Sequence, residues 1–133
     1  PHRATLQENE GETLRQYELK AILKDHKLWI ESAGREGKRA NLAGAYLRSA
    51  NLQGTNLQGA NLQNANLSSA YLVGAKFTTN FKKVKFFQYA TFSEDQIPWV
   101  VLHPRYHEWA HTLKWSWQRD ITPSQSWLCD LTN

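Results

Sequence analysis

Residues Ala40 to Thr79 read ANLAG AYLRS ANLQG TNLQG ANLQN ANLSS AYLVG AKFTT, eight five-residue units without a gap. The third position of each unit is Leu42, Leu47, Leu52, Leu57, Leu62, Leu67, Leu72 or Phe77. Ala stands two positions earlier in every unit except the one that begins at Thr55. A large apolar residue every five positions matches neither the 3.6-residue period of a helix nor the two-residue alternation of a strand. Five residues can instead form one side of a square coil. The large residue then points inward, the small Ala tucks in beside it, and the other three positions face water. The phase fails at Lys82 and returns at Phe87 and Phe92.

Repetition of this kind takes precedence over any shorter motif. The run resembles the pentapeptide-repeat family, whose pattern is A(N/D)LXX. The stretch containing His26, Trp29, Gly34, Gly37 and Arg39 is similar to the helical lead-in of bacterial members. The resemblance implies a mainly β fold. It would be a right-handed quadrilateral β-helix, a short solenoid of nearly three coils with four units in each. Residues twenty apart should then stack. The inward stacks are Leu42–Leu62–Lys82, Leu47–Leu67–Phe87, Leu52–Leu72–Phe92 and Leu57–Phe77. The outward ones are Asn41–Asn61–Phe81, Tyr46–Asn66–Phe86, Asn51–Tyr71–Thr91 and Asn56–Lys76. A lysine in such a core would cost several kcal/mol, about the penalty of an unpaired buried charge. A bulge at Phe81–Val84, with Phe81 or Val84 turned inward instead, is therefore expected. The Asn residues suit turns, and stacked Asn can also form an amide ladder.

A solenoid this short exposes apolar ends and open strand edges, so both ends need caps. The expected organisation is an N-terminal α-helical cap over 1–34, a repeat coil over 35–94 and a Trp-rich, partly helical C-terminal cap over 95–133. Thr13 and Gln16 suggest a capping box. Leu19, Ile22, Leu23, His26, Trp29 and Ile30 share one helical face, and Gly34 closes the helix. His26 on that face reads as a cap residue. Trp99, Trp109, Trp115, Trp117 and Trp127 crowd the C-terminal segment. The Pro-interrupted Ile97–Leu102 suggests an extended cover. After Pro104, a helical stripe of Tyr106, Trp109, Ala110, Leu113 and Trp117 is expected, with His107, His111 and Trp115 on another face. Five indoles are more than a small coil end can easily bury, so Trp115 and Trp127 are candidate partner contacts.

The chain has 133 residues, with 16 Lys and Arg against 12 Asp and Glu, a net charge of +4. That total hides a basic centre. Residues 35–92 carry eight basic groups and one acid, and both flanks are slightly acidic. A gyrase-protecting DNA mimic, the best-known activity in the family, needs a long acidic surface, and this segment has Asn where Asp would supply it. The basic residues Lys76, Lys82, Lys83 and Lys85, with Tyr71, Phe81, Phe86 and Tyr89 among or near them, form a candidate binding edge. The same lysines would also discourage strand-on-strand aggregation. Nucleic acid is a weaker candidate for this edge than protein.

His107-Glu108-Trp109-Ala110-His111 matches the H-E-x-x-H zinc motif, in which two His one helical turn apart share a metal. Arg105 before it, and the lack of a clear third ligand beyond His103, Asp120 or Asp130, favour a polar helix face instead. Lone Cys129 has no evident base, and no phosphate-binding loop is visible. The single Cys fits a reducing compartment. The polar Pro1–Glu12 shows no signal-peptide pattern, and a chain without Met reads as trimmed or partial.

The expectation is thus a non-enzymatic interaction or scaffold module without cofactor, cytoplasmic, and binding another protein or protein complex. Two alternatives stay open. One is an accessory subunit at a membrane surface or in a large complex. The other is a metal-dependent activity at His107 and His111.

Overall fold

The computed structural model describes residues 15–118. Helix α1 (Gln16–Glu31) comes first, then the repeat segment. After it come a 3-10 turn (Thr79–Lys83), strand β1 (Thr91–Phe92) and a second 3-10 turn (Glu94–Gln96). Helices α2 (Ile97–Val101) and α3 (Tyr106–Trp109), a 3-10 turn (Ala110–Thr112) and strand β2 (Lys114–Trp115) complete the order.

Extended regular strands are absent from the repeat segment, and β1–β2 is the only sheet among the described residues. Its place is taken by single parallel bridges at a spacing of twenty residues. They pair Asn41 with Asn61, Tyr46 with Asn66, Asn66 with Phe86, Asn51 with Tyr71, Tyr71 with Thr91, and Asn56 with Lys76. The chain therefore returns beside itself in four columns, and a residue and the one twenty later occupy successive rungs. Two sets of hydrogen bonds join the rungs. Asn61, Asn66, Tyr71 and Lys76 donate N–H back to Ala40, Ala45, Ala50 and Thr55, and Leu42, Leu47, Leu52 and Leu57 donate forward to Asn61, Asn66, Tyr71 and Lys76.

Each position of the repeat has its own physical task. The central Leu residues and the leading Ala residues are buried. Thr55, which stands where Ala is usual, bonds its hydroxyl to Leu52 O at 2.8 Å. Asn41, Asn51, Asn56, Asn61 and Asn66 each accept, at Oδ1, the backbone N–H two residues on, so turn-making is their main role. One amide rung also forms, from Asn61 Nδ2 to Asn41 Oδ1 at 3.3 Å. The fifth position turns the corner with positive φ, which explains the recurrent Gly, Ser and Asn at Gly44, Ser49, Gly54, Gly59, Asn64, Ser69 and Gly74.

The stack of Leu42 and Leu62 does not continue to Lys82. The 3-10 turn throws Lys82 outward and buries both Phe81 and Val84. The pairing of Asn61 with Phe81 is lost for the same reason. Two side-chain amides replace the rungs that go missing where the phase fails. By the repeat rule, Ala60 O and Ala75 O should accept N–H from residues 81 and 96. Asn80 Nδ2 instead reaches Ala60 O at 3.1 Å and Leu57 O at 2.9 Å. Gln96 Nε2 reaches Ala75 O and Leu72 O, both at 2.6 Å. Ala60 O and Ala75 O thus keep a donor, as buried polar groups require.

Helix α1 covers the first rung. Thr13 lies outside the described residues. Arg15 is the N-cap, and Glu18 Oε1 accepts the Arg15 N–H at 3.3 Å. Leu19 and His26 are buried, with Ile22, Leu23, Trp29 and Ile30 half-buried beside them. His26 Nδ1 accepts the Ala40 N–H at 2.9 Å, so Nε2 carries the proton and donates to Gln58 O at 2.8 Å. Gly34, at φ 88°, donates N–H to Trp29 O and closes the helix. Gly37 lies so close to Asp25 O and the Leu28 Cβ that a side chain would collide with both.

The other end departs further from the sequence reading. Ile97–Val101 is helix α2, not an extended cover, because Pro98 falls in the first turn, where its missing N–H costs nothing. The stripe after Pro104 is not one helix. Helix α3 stops at Trp109, and the chain then extends, so that β2 lies parallel on β1 with Thr91 opposite Lys114 and Phe92 opposite Trp115. A further rung is thereby added over the column of Asn51, Tyr71 and Thr91.

Candidate interaction surface

Lys76, Lys82, Lys83 and Lys85 are all exposed. Among the described residues none of them has an acidic partner; the ion pair there joins Arg105 and Glu108. Residues 37–93 hold seven basic residues and no acid. The columns fix how these charges group. Lys82 and Lys83 lie on the rung after Asn61–Asn64, where Asn64 N–H bonds Lys83 O. Lys85 follows at the next corner, and its N–H bonds Ala65 O. Lys76 occupies the neighbouring column above Asn56.

The aromatic candidates are not brought together with them. Tyr71 is exposed, but it belongs to the column of Asn51 and Thr91. Tyr89 is exposed at a corner further round, and Thr112 Oγ1 accepts its N–H at 3.0 Å. Phe81 cannot meet a partner in this conformation. It is fully buried, stacked on Phe77 at 4.8 Å and edge-on to Phe87, Phe92 and His103. Phe86 is half-buried beneath Lys85 Nζ at 5.4 Å and the Arg105 guanidinium at 5.3 Å. Trp115 is likewise core, packed on Phe92 and stacked with Trp117 at 5.1 Å. Trp127 lies outside the described residues.

Arg105 clamps the last rung to the cap. Nη1 donates to Lys85 O at 2.9 Å, Nε and Nη2 grip Glu108, and the guanidinium lies 4.3 Å from the Trp109 ring centre. The hydrogen bond from Arg105 holds the Glu108 carboxyl below its ordinary pKa, and the same bond raises that of Arg105. His103 is wedged behind them. Its Nδ1 accepts the Arg105 N–H at 2.9 Å, and its Nε2 donates to Val84 O at 2.7 Å. Burial pushes the His103 pKa down and Arg105 adds to that, while the bond to Val84 and the charge of Glu108 act upward.

The same clamp bears on H-E-x-x-H. Both oxygens of Glu108 are engaged by Arg105, so the group that would activate a metal-bound water is already committed. The α-helix ends at Trp109 and His111 falls in the 3-10 turn after it, so the two His do not share one continuous α-helix. His103 uses both ring nitrogens on backbone. Among the described residues no group of three or more His, Cys, Asp or Glu could hold a metal. Asp120 and Asp130 lie outside them.

The sequence reading missed Arg105, His103, Asn80 and Gln96 as structural hinges. The signal for the two amides was present, since each falls where the five-residue rule leaves a carbonyl without its donor.

Residues 40–78 match the family model of pentapeptide repeats in eight copies. No curated protein matches the chain. No solved structure matches it either.

Proposed function

We propose that this pentapeptide-repeat protein is a non-enzymatic interaction or scaffold module whose contact surface is the lysine rim at Lys76, Lys82, Lys83 and Lys85. The repeat family in general suggests a protein-interaction or structural role. The twenty-residue pairings support a finer reading of the fold as a right-handed quadrilateral β-helix of nearly three turns. A rigid ladder loses little conformational entropy when it binds.

The observation that carries the proposal is the run of seven basic residues without an acid over 37–93, with four lysines exposed and without acidic partners among the described residues. Such a field favours a partner with an acidic surface. A protein partner is preferred to single-stranded nucleic acid because Phe81 is buried and Phe86 is covered, which leaves no stacking platform beside the lysines.

The test is affinity purification from the native cell after nuclease treatment, with the unaltered chain and with Lys82, Lys83 and Lys85 changed to Glu. A partner retained by the first and lost with the second supports the proposal. An unchanged set of retained proteins contradicts it.

A further inference from the structure

A cleft of about 430 Å³ opens at one corner of the first coil, between the end of α1 and the turn at Gln58 and Gly59. Its walls are Trp29, Ile30, Ala33, Gly34, Gln58 and Gly59. Two of these are glycines at positive φ, and neither puts a side chain against the indole. A Cβ on Gly59 would lie 3.4 Å from Trp29 Cζ3, and one on Gly34 would lie 3.7 Å from Trp29 Nε1.

Trp29 is fixed in place yet accessible. Its ring stacks on buried His26, with centroids 5.4 Å apart and 16° between the planes. His26 is itself held at both nitrogens, by Gln58 O and the Ala40 N–H. Trp29 nevertheless stays half-buried, and its Nε1–H has no acceptor among the described residues. A rigid indole with a free donor beside a bare wall has the make-up of a binding hot spot, where Trp is enriched.

The surrounding charges choose the occupant. Gly59 turns the corner between Asn56 and Asn61. Lys76 stands one rung above Asn56, and Lys82 and Lys83 lie one rung above Asn61–Asn64. These lysines therefore flank the corner, about 10 Å from Gly59 on either side at strand spacing, or some three residues of extended chain. The acids nearest the cleft in sequence, Glu31 and Glu36, belong to α1 and the turn after it, and the coil holds none between Gly37 and Ser93.

We propose that the cleft takes an aromatic side chain from an extended acidic peptide of a protein partner, with carboxylates three to four residues to either side reaching Lys76 and the Lys82–Lys83 pair. This rests on the reading of the lysine rim as a contact surface and adds the anchor that the rim lacks. Complementary charge gives on-rate and orientation, whereas an anchor in a pocket carries most of the affinity. An aromatic anchor suits a cleft walled by an indole, since ring pairs attract beyond the area they bury. Trp29 Nε1–H is left to donate to a peptide carbonyl.

Amide NMR on the isotope-labelled whole chain tests this with a capped peptide: one phenylalanine, with two glycines and then two glutamates on each side. Saturable shifts are expected at Trp29 Nε1–H and at the Gly34 and Gly59 N–H. Alanine in place of the phenylalanine should weaken binding about tenfold or more. Glutamine in place of the glutamates should weaken it several-fold and remove its dependence on salt. Gly59→Asn should abolish the shifts while the melting temperature stays within about 4 °C, because Asn64 already fills such a corner at φ 62°. Lys82→Glu with Lys83→Glu should weaken the glutamate peptide and leave the glutamine peptide unchanged. The anchor and the rim fail separately. A native partner lost with the lysine variant but retained by Gly59→Asn overturns the anchor and leaves the rim standing. The proposal is also overturned by equal binding of the alanine peptide, or by no saturable shift at Trp29 Nε1–H at about 5 mM peptide.

Discussion

Single residues decide where the ladder stops. Gln96 is buried and donates to two carbonyls, Leu72 O and Ala75 O, while its Oε1 accepts the Ser93 N–H at 2.9 Å. Gln96→Leu keeps the bulk and strands Ala75 O and the Ser93 N–H, while Leu72 O keeps the Ala75 N–H. A loss of about 2–4 kcal/mol is expected in urea unfolding, since each unsatisfied buried group costs about 1–3 kcal/mol and some will find water. Tyr89→Gly should act in the opposite direction. It relieves a left-handed backbone at φ 63°, a gain of about 0.5–1 kcal/mol after the added entropy of the unfolded chain, read as a higher melting temperature. Sequence reading is strongest at this scale within the repeat. Leu42, Leu52 and Leu62 stand where the period puts them because one burial rule acts on every unit. It is weakest at Phe81–Val84, where the period puts Lys82 in the core and its charge keeps it out, but neither says that both Phe81 and Val84 go inward.

At the scale of elements, the two ends of the ladder use the same device. A buried histidine in each cap donates from Nε2 to a rung carbonyl and accepts a backbone N–H at Nδ1. His26 bridges Gln58 O and Ala40 N–H; His103 bridges Val84 O and Arg105 N–H. At the C-terminal end this couples folding to pH. The folded pKa of His103 lies below its ordinary 6.5, so the fold favours the neutral ring. Its contribution is therefore complete above about pH 6.5 and is lost as pH falls from there toward the folded pKa. Protonated Nδ1 would also face the Arg105 N–H donor to donor. Thermal melts between pH 8 and about pH 5 should show falling stability for the unaltered chain and a flatter profile for His103→Gln. An identical slope in the variant would remove His103 as the cause. These caps are only partly legible in the sequence. The apolar face of α1 is long enough to declare itself, but α2, α3 and β2 have five, four and two residues, too few for any period to show. Tertiary contact with the last rung sets their conformation.

Across the whole molecule, the twenty-residue return converts a one-dimensional pattern into surfaces. It gathers Lys82, Lys83 and Lys85 at one rim and places Tyr71 on a different column. The charge imbalance is legible in the sequence itself, because it needs only the count of acids between Gly37 and Ser93. The separation of Tyr71 from the lysines is harder to see there, since residues close along the chain fall in different columns. Every functional statement rests on the register that pairs each residue with the one twenty later. Through-hydrogen-bond couplings in the NMR spectrum of the isotope-labelled chain measure that register directly. Couplings are predicted from Leu52 N–H to the Tyr71 carbonyl, from Leu67 N–H to the Phe86 carbonyl, and from Lys114 N–H to the Ala90 carbonyl. Couplings from these amides to carbonyls four residues earlier, as in a helix, or to carbonyls at some other long spacing, would contradict the account.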